Sequence, residues 1–243
     1  MIYPDWPAPV NVRAVTTVRT GGTSKSPWES FNLAGHVGDA PDAVQRNRDL
    51  LRQRLQLPAA PVWLNQVHGD CAADVVQCGE RPSADAGFST QTGTVCAVLT
   101  ADCLPVLLCD RDGTRVAAAH AGWRGLAAGI LESSVAALNT DPAQLMAWLG
   151  PAIGPAAFEV GDEVRQVFVG RHAQAAGAFS ATTDGCWLAD LYQLARIRLQ
   201  AVGVQAVYGG EWCTFSDRER FYSYRRDGST GRMASLIWLD AAC

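Results

Sequence analysis

Three short apolar segments lie close together in the middle of the chain, at residues 94–100, 104–109 and 114–119. Short apolar runs bounded by turn residues are typical of buried β-strands. The second and third runs flank Asp110-Arg111-Asp112-Gly113, whose composition favours a four-residue hairpin loop. The sequence therefore predicts a β-hairpin over 104–119, and a chain of 243 residues is long enough to bury a core around it.

This hairpin brings two chemically reactive side chains together. A four-residue loop sets a register in which position 109 pairs with position 114 and, continued outwards, Cys103 lies opposite His120. Directly opposed residues of an antiparallel pair have Cβ atoms about 5 Å apart. A thiolate and an imidazole at that separation can share a metal ion or form a nucleophile–base pair.

His68 is a third candidate for the same site. It lies in the segment 65–70 (NQVHGD), at the end of a predicted strand, and Cys103 and His120 also lie where a strand meets a loop. Reactive groups are usually displayed on such loops. One cysteine and two histidines suit zinc and leave a fourth position for water or substrate. The spacing alone matches no local zinc motif, so a structural role for each of these side chains stays open.

The residues that follow His120 favour an anion. Gly122 and Gly125 allow the backbone to approach a ligand closely. A helix is predicted to begin near Leu126, and Arg124 adds a positive charge. Free N–H groups at a helix N-terminus, the helix dipole and a guanidinium all attract phosphate-like groups. The alternative is a tight strand-to-helix turn in which Arg124 caps a neighbouring group.

The remaining pattern mixes helices and strands without strict alternation, which favours an α/β or α+β sandwich over a regular doubly wound sheet. No linker divides the chain, so we expect one domain over 1–243. The predicted helices cover 39–57 (capped by Asp39), 126–138, 159–169 and 188–202. Further strands are predicted at 11–20, 62–68, 204–208, 221–224 and 233–239.

Charge and apolar content exclude several function classes. The chain carries a net charge of −4 and has no basic tract, so we expect no nucleic-acid partner. It has no basic, apolar leader and no apolar segment long enough to cross a bilayer, so we expect a cytoplasmic protein without a membrane partner. Its eight cysteines are then mostly reduced. We expect a monomer or weak oligomer.

At the residues named above, the chain resembles the YfiH family, whose members are also described as laccase-domain or multicopper polyphenol oxidoreductase-like proteins. The resemblance covers most of the length and is specific because it combines many separate motifs. The matching segments are 19–24 (RTGGTS), 31–39 (FNLAGHVGD), 65–70 (NQVHGD), 83–86 (SADA), 100–106 (TADCLPV), 120–125 (HAGWRG), 150–155 (GPAIGP), 159–161 (EVG) and 221–232 (FYSYRRDGSTGR).

This resemblance implies central mixed β-sheets flanked by helices, with His68, Cys103 and His120 as zinc ligands. It also implies a purine nucleoside phosphorylase, in which adenosine, inosine or guanosine reacts with phosphate to give the base and ribose 1-phosphate. Cleavage of methylthioadenosine and deamination of adenosine are associated activities. We expect catalytic residues at Cys103, His120, Asp102 and Arg124.

The expected binding residues for substrate and phosphate are Arg19, Asn32, Arg225 and Arg226. The three arginines lie in the turn segments 19–22 and 225–228, and taken singly each of these two segments is also consistent with a solvated turn. His36, in the loop that contains Asn32, can approach the same site.

Two other functions stay open, and one is excluded by counting. Cys103 with His120 as base can form an amidase or hydrolase. The family resemblance implies that such an enzyme would edit peptidoglycan precursors. A non-enzymatic zinc-stabilised interaction module is the third class. The module needs a fourth protein ligand, and the sequence offers none. A multicopper oxidase needs many more imidazoles than the four histidines of this chain, although copper can occupy the zinc site adventitiously.

Overall fold

Two β-sheets packed face to face form the centre of the protein, and helices cover both outer surfaces. The structure is a computed structural model that describes residues 1–79 and 81–241. The strands are β1 (Val12–Thr16), β2 (Val62–Trp63), β3 (Ala72–Asp74), β4 (Ala86–Ser89), β5 (Val95–Thr100), β6 (Leu104–Asp110), β7 (Val116–Ala121), β8 (Leu145–Leu149), β9 (Glu159–Val160), β10 (Phe179–Ala181), β11 (Trp187–Ala189), β12 (Ala206–Gly209) and β13 (Met233–Leu239). The α-helices are α1 (Pro41–Leu55), α2 (Trp123–Ala128), α3 (Ile130–Ala137), α4 (Asp162–Arg171), α5 (Leu191–Ala201) and α6 (Tyr224–Asp227). Two short 3-10 helices cover Pro142–Gln144 and Ala173–Ala178.

The two main sheets contain both parallel and antiparallel pairs. The six-stranded sheet has the order β12-β8-β6-β7-β4-β3, and the four-stranded sheet has the order β1-β13-β5-β2. Pairs β12/β8, β3/β4 and β2/β5 are parallel, and the others are antiparallel. A small third sheet has the order β10-β11-β9. The predicted layered sandwich of mixed sheets and helices is confirmed.

Strands β6 and β7 are buried along their whole length because both of their faces are covered. On one face, Leu107 and Val116 join a cluster with Ile237 of the four-stranded sheet. On the opposite face, Leu108 and Ala119 belong to a cluster that includes residues of α3, α4 and α5. Burying one leucine side chain contributes about 1.5–3 kcal/mol, so this doubly covered hairpin anchors the fold. Helix α1 covers the outer face of the four-stranded sheet.

The predicted hairpin exists, but its register differs by two residues. His120 pairs with Pro105, and Cys109 pairs with Val116. Asp110 stays in β6 because its carboxylate accepts hydrogen bonds from the backbone and hydroxyl of Thr114 and from the backbone of Arg115. The loop therefore contains five residues, 111–115, instead of the predicted four.

Several predicted elements have different bounds in the structure. The predicted helix 126–138 is divided into α2 and α3 because Gly129 adopts a φ of +119°, which a continuous helix does not allow. Helix α1 starts at Pro41 without a side-chain cap, since Asp39 is buried and accepts hydrogen bonds from Ser24 and Asn32 instead.

The other differences affect strands and helix starts. The predicted strand 62–68 is reduced to two residues. The segment 221–224 forms no strand, because Phe221 and Tyr222 are buried in a loop and Tyr224 begins α6. The predicted helices 159–169 and 188–202 each begin after a short strand. Strand β8 was not predicted. No helix within 1–79 or 81–241 combines the length and the apolar character needed to cross a membrane.

Candidate metal centre

Three metal-binding side chains meet at one end of the packed sheets. The Sγ atom of Cys103 and one ring nitrogen each of His68 and His120 lie within 4.8 Å of one another. A thiolate and two imidazoles are donors that zinc and other transition metals accept. This group can therefore bind a metal ion, and no further histidine, cysteine or carboxylate joins it in the part of the chain that the structure describes.

Local backbone conformation brings the three ligands together. His120 lies in β7, whereas Cys103 directly precedes β6 and follows Asp102, which has a φ of +89°. His68 has a φ of +62°. A Cβ atom on Gly122 would lie 2.8 Å from the sulfur of Cys103, so a residue without a side chain is needed there. Left-handed backbone of this kind often marks a functional site.

The buried carboxylate of Asp85 orients two of the ligands. Its Oδ1 atom lies 2.8 Å from Nδ1 of His120 and accepts a hydrogen bond from the backbone N–H of His68 at 2.9 Å. Its Oδ2 atom accepts hydrogen bonds from the N–H groups of Val67 and Gly69. Since a carboxylate accepts only, Nδ1 of His120 carries the proton and Nε2 is left for a metal. These contacts hold the pKa of Asp85 below its usual value, although burial alone would raise it.

The thiol of Cys103 and the imidazole of His120 stabilise each other's charged forms. Burial by itself raises the pKa of Cys103, but the charges and hydrogen bonds of His120 and His68 lower it to about 6. Burial lowers the pKa of His120, whereas Cys103 and Asp85 raise it, to about 9. The two histidines thus favour the thiolate form of Cys103, which is the form that binds metals or acts as a nucleophile.

The three ligands open into a cavity of about 340 Å³, a size typical of small-molecule sites. Among residues 1–79 and 81–241, the lining contains one arginine and no carboxylate. The lining residues are His36, Gln66, His68, Leu99, Thr100, Ala101, Cys103, His120, Tyr224 and Arg232. Burial and the charges of Arg232, Arg81 and Arg48 lower the pKa of His36, so positive charge surrounds this end of the cavity. The cavity therefore favours an anionic ligand.

The side chain of Asp102, which was expected to be catalytic, lies outside the cavity and forms hydrogen bonds with neighbouring loops. It does not line the cavity, and its carboxylate accepts hydrogen bonds from the hydroxyls of Thr214 (2.6 Å) and Ser223 (3.0 Å) and the N–H of Arg225 (2.7 Å). Its backbone carbonyl accepts a hydrogen bond from Ile153. Asp102 thus joins three loops and fixes the backbone next to Cys103.

The expected anion site at Arg124 is not part of the cavity. Arg124 is exposed and stacks on the ring of Trp123 at 4.4 Å. Helix α2 starts at Trp123 and has only six residues. The structure therefore places this guanidinium outside the site formed by the three ligands.

The four expected binding residues also lie outside the cavity lining. Arg19 donates to the carbonyls of Glu29 and Arg218. Arg225 donates to the carbonyl of Glu159. Asn32 is fully buried and accepts a hydrogen bond from the N–H of Arg232, so it supports the cavity wall from behind.

Arg226 uses its guanidinium inside the protein. It donates to the carbonyls of Thr214, Phe215 and Phe221 and pairs with Asp227. This network connects α6 to the loop that holds the Asp102 carboxylate. That Arg226 binds substrate stays a prediction.

Sequence reasoning missed Asp85, Thr100 and Arg232. Asp85 and Arg232 lie in the segments 83–86 and 221–232, which were noted for their resemblance to the family but without a role for either residue. Thr100 begins the segment that contains Cys103. The one feature in the sequence that could have indicated these residues is their position, because each lies at or next to the end of a strand.

Fold and site together define a class: a layered α/β protein in which three side chains that can bind a metal ion line a cavity of small-molecule size. The family described as "Multi-copper polyphenol oxidoreductase laccase" matches residues 13–240. This chain belongs to that family, and the resemblance to YfiH proteins is confirmed.

Characterised relatives and solved structures match over nearly the full length. "Purine nucleoside phosphorylase PA4543" of Pseudomonas aeruginosa is 57% identical, and "Purine nucleoside phosphorylase YfiH" of Escherichia coli is 54% identical, each over 98% of both chains. The crystal structure of Neisseria meningitidis protein NMB0706 superposes with a TM-score of 0.96 at 52% identity and 99% coverage of both chains. YlmD from Geobacillus stearothermophilus gives a TM-score of 0.88 at 30% identity, covering 96% of this chain and 93% of its own.

Proposed function

We propose that this chain is a zinc-dependent purine nucleoside phosphorylase that cleaves adenosine, inosine or guanosine. The observation that carries the proposal is the cavity itself, where a cysteine and two histidines lie beside a guanidinium and, among the residues that the structure describes, no carboxylate. The printed names of relatives that are 47–57% identical support the same activity. A cavity of about 340 Å³ suits a nucleoside-sized ligand.

Zinc fits the three donors by their chemistry, and His68, Cys103 and His120 are its proposed ligands. When bound, zinc supplies a Lewis acid that polarises an electronegative atom of the substrate. The chain's own residues prepare this site. Asp85 keeps the Nδ1 proton on His120, and Gly122 leaves the room that the Cys103 sulfur occupies.

In the proposed reaction, an oxygen of hydrogenphosphate forms a bond to C1′ of the ribose while the bond from C1′ to the purine nitrogen breaks. The electron pair of that bond leaves with the base, and the proton of hydrogenphosphate ends on the base. The products are the neutral base and ribose 1-phosphate. Positive charge develops on the sugar as the base departs, as in glycoside cleavage. An adjacent phosphate dianion stabilises that charge, so the cavity has to hold an anion next to the sugar.

The decisive experiment incubates protein of known metal content with purine nucleosides, with and without phosphate, and identifies the products by mass spectrometry. We expect the base and ribose 1-phosphate only when phosphate is present. The same panel tests methylthioadenosine cleavage and adenosine deamination, which converts adenosine to inosine without phosphate. Base release at the same rate in phosphate-free buffer would contradict phosphorolysis.

Two variants and two matched controls connect the activity to the metal centre. His68→Ala and Cys103→Ala should lose bound metal and turnover together, because each removes one of three ligands. His172→Ala and Cys71→Ala make the same chemical changes outside the triad and should keep both. Phosphorolysis at the wild-type rate in both ligand variants would exclude the proposed mechanism.

A second candidate function is supported by the charge state of the thiol. The pKa of Cys103 falls to about 6 through the charge of His120, despite the opposing effect of burial. This pair can act as a nucleophile and base in an amidase, for instance one that edits peptidoglycan precursors. Metal removal separates the two functions. A chelator should abolish phosphorolysis, whereas it should leave or increase a reaction that depends on a free thiolate.

A further inference from the structure

The metal-centre cavity has an unused pair of hydrogen-bond donors on Arg232. The Nη1 atom of this guanidinium donates to the carbonyls of Thr230 and Gly231, at 2.9 and 3.0 Å. Nε and Nη2 have no hydrogen-bond partner within residues 1–79 and 81–241, and no carboxylate there forms an ion pair with Arg232. These two nitrogens form the planar fork that binds an oxyanion with two parallel hydrogen bonds.

The position of Arg232 is fixed from several sides. Its backbone N–H donates to Oδ1 of Asn32 at 3.0 Å, and Asn32 is itself fully buried. The neighbouring Gly231 packs so closely on Tyr222 that an added Cβ atom would lie 2.6 Å from the ring. A guanidinium held in this way loses little conformational entropy when it binds a ligand.

A second polar group of the same cavity lacks a partner. Thr100 is 1% exposed, and its hydroxyl has no hydrogen-bond partner among the described residues. A buried hydroxyl without a hydrogen-bond partner destabilises the protein, so we expect this group to contact a ligand. Strand pairing explains why it lies near the guanidinium, since Thr100 pairs with Met233, the residue that follows Arg232. Both side chains line the cavity that contains the three metal ligands.

We propose that Arg232 and Thr100 form the oxyanion subsite of this cavity, and that it binds the phosphate that attacks the nucleoside. This assignment rests on the proposed function. It differs from the sequence expectation, which put the anion at Arg124. In the proposed arrangement the Nε–Nη2 fork of Arg232 donates two hydrogen bonds to phosphate oxygens, and the Thr100 hydroxyl donates one. Arg232 and Thr100 thus bind the co-substrate and do not bind the metal.

The test compares phosphate kinetics in Arg232→Gln, Arg232→Lys and Thr100→Val with those in the wild type and in Arg124→Gln. Hydrogen bonds to charged groups contribute about 1.5–3 kcal/mol, so the KM for phosphate should rise about 10- to 100-fold in Arg232→Gln. Arg232→Lys keeps the charge without the fork and should show a smaller increase. Thr100→Val is nearly isosteric and should raise this KM by about 2- to 10-fold. The KM for the nucleoside should stay within about twofold in all variants.

Arg124→Gln makes the same chemical change on an exposed side chain and should leave the phosphate KM unchanged. If Arg232→Gln does not fold, Thr100→Val and Arg232→Lys still decide the question. The subsite assignment is wrong if these variants phosphorolyse nucleosides with a wild-type KM for phosphate, and the proposed function then still stands.

A direct binding measurement separates the two hypotheses. Calorimetric titration with inorganic phosphate should show binding to the metal-loaded wild type and to Arg124→Gln, with about 10-fold or greater loss in Arg232→Gln. If the wild type cleaves no nucleoside but still binds phosphate through Arg232, the proposed function fails and the oxyanion subsite stands. If phosphate binds equally to wild type and Arg232→Gln, the subsite is refuted.

Discussion

Replacing Asp85 with asparagine should weaken both the fold and the metal centre. Oδ1 of Asp85 accepts hydrogen bonds from the His68 N–H and His120 Nδ1, and Oδ2 accepts them from the N–H groups of Val67 and Gly69. An asparagine amide has one oxygen, so either orientation removes two of these four contacts and points an NH₂ group at N–H donors. At about 1.5–3 kcal/mol for each hydrogen bond to a charged group, the loss amounts to about 3–6 kcal/mol.

This loss is large against a total stability of about 5–15 kcal/mol for a typical protein. Guanidinium chloride unfolding measures it, and both proteins should be metal-free because bound metal adds its own stabilisation. Removing a group that orients metal ligands typically costs about 10- to 100-fold in metal affinity, which a competitive zinc titration measures. Asp112→Asn, on an exposed residue of the hairpin loop, is the matched control and should change neither quantity. A metal-free Asp85→Asn protein within about 1 kcal/mol of the wild type, with wild-type zinc affinity, would refute this account of the carboxylate.

Three further predictions concern the geometry around Cys103, the reactivity of two other cysteines and the identity of the metal. Gly122→Ala adds a Cβ atom 2.8 Å from the Cys103 sulfur, so zinc affinity should fall at least about 10-fold in a competitive titration. Gly170 has open space around it, so Gly170→Ala should leave the zinc affinity unchanged. Burial alone would raise the pKa of Cys213, but hydrogen bonds to its sulfur lower this pKa below its ordinary value. For Cys109, burial raises the pKa to about 12. Iodoacetamide at pH 8 should therefore label Cys213 and spare Cys109 until the protein unfolds, as peptide mass mapping will show; early labelling of Cys109 would contradict this. Metal-free protein reloaded with zinc should cleave nucleosides and oxidise no phenol, because zinc has no redox chemistry, and phenol oxidation by a zinc-only sample would contradict the proposed metal.

The meeting of Cys103 and His120 could be predicted from the hairpin even though the predicted register was wrong. Side chains alternate between the two faces of a strand, so a shift of two residues leaves each residue on its original face. The register changed because Asp110, a typical turn residue, remains in β6 and pairs with Arg115 across the loop. A local pattern thus predicted the correct face and the wrong partner.

The proposed anion-binding residues could not be predicted in the same way. Arg124 follows His120 closely in sequence, but its guanidinium stacks on Trp123 at the surface. Arg232 is distant in sequence from every metal ligand and reaches the cavity only because β13 pairs with β5. Strand order across a sheet depends on the whole fold, and the sequence of this chain read by itself does not specify that order. The division of the predicted helix at Gly129 could not be predicted either, because a glycine within a helical pattern does not indicate which φ it adopts.

The positions of the four histidines show how far the site agrees with the laccase description of the family. Two of the four histidines are metal-ligand candidates and His36 lines the same cavity, whereas His172 lies at the end of α4, outside the cavity. A cluster of several copper ions needs many imidazoles close together, and this distribution does not supply them. The same three donors can accept a single copper ion, because copper binds such ligands more tightly than zinc does. A copper-dependent oxidation would then depend on which metal occupies the site. With either metal, the guanidinium of Arg232 and a lining that has no carboxylate among residues 1–79 and 81–241 favour an anionic co-substrate.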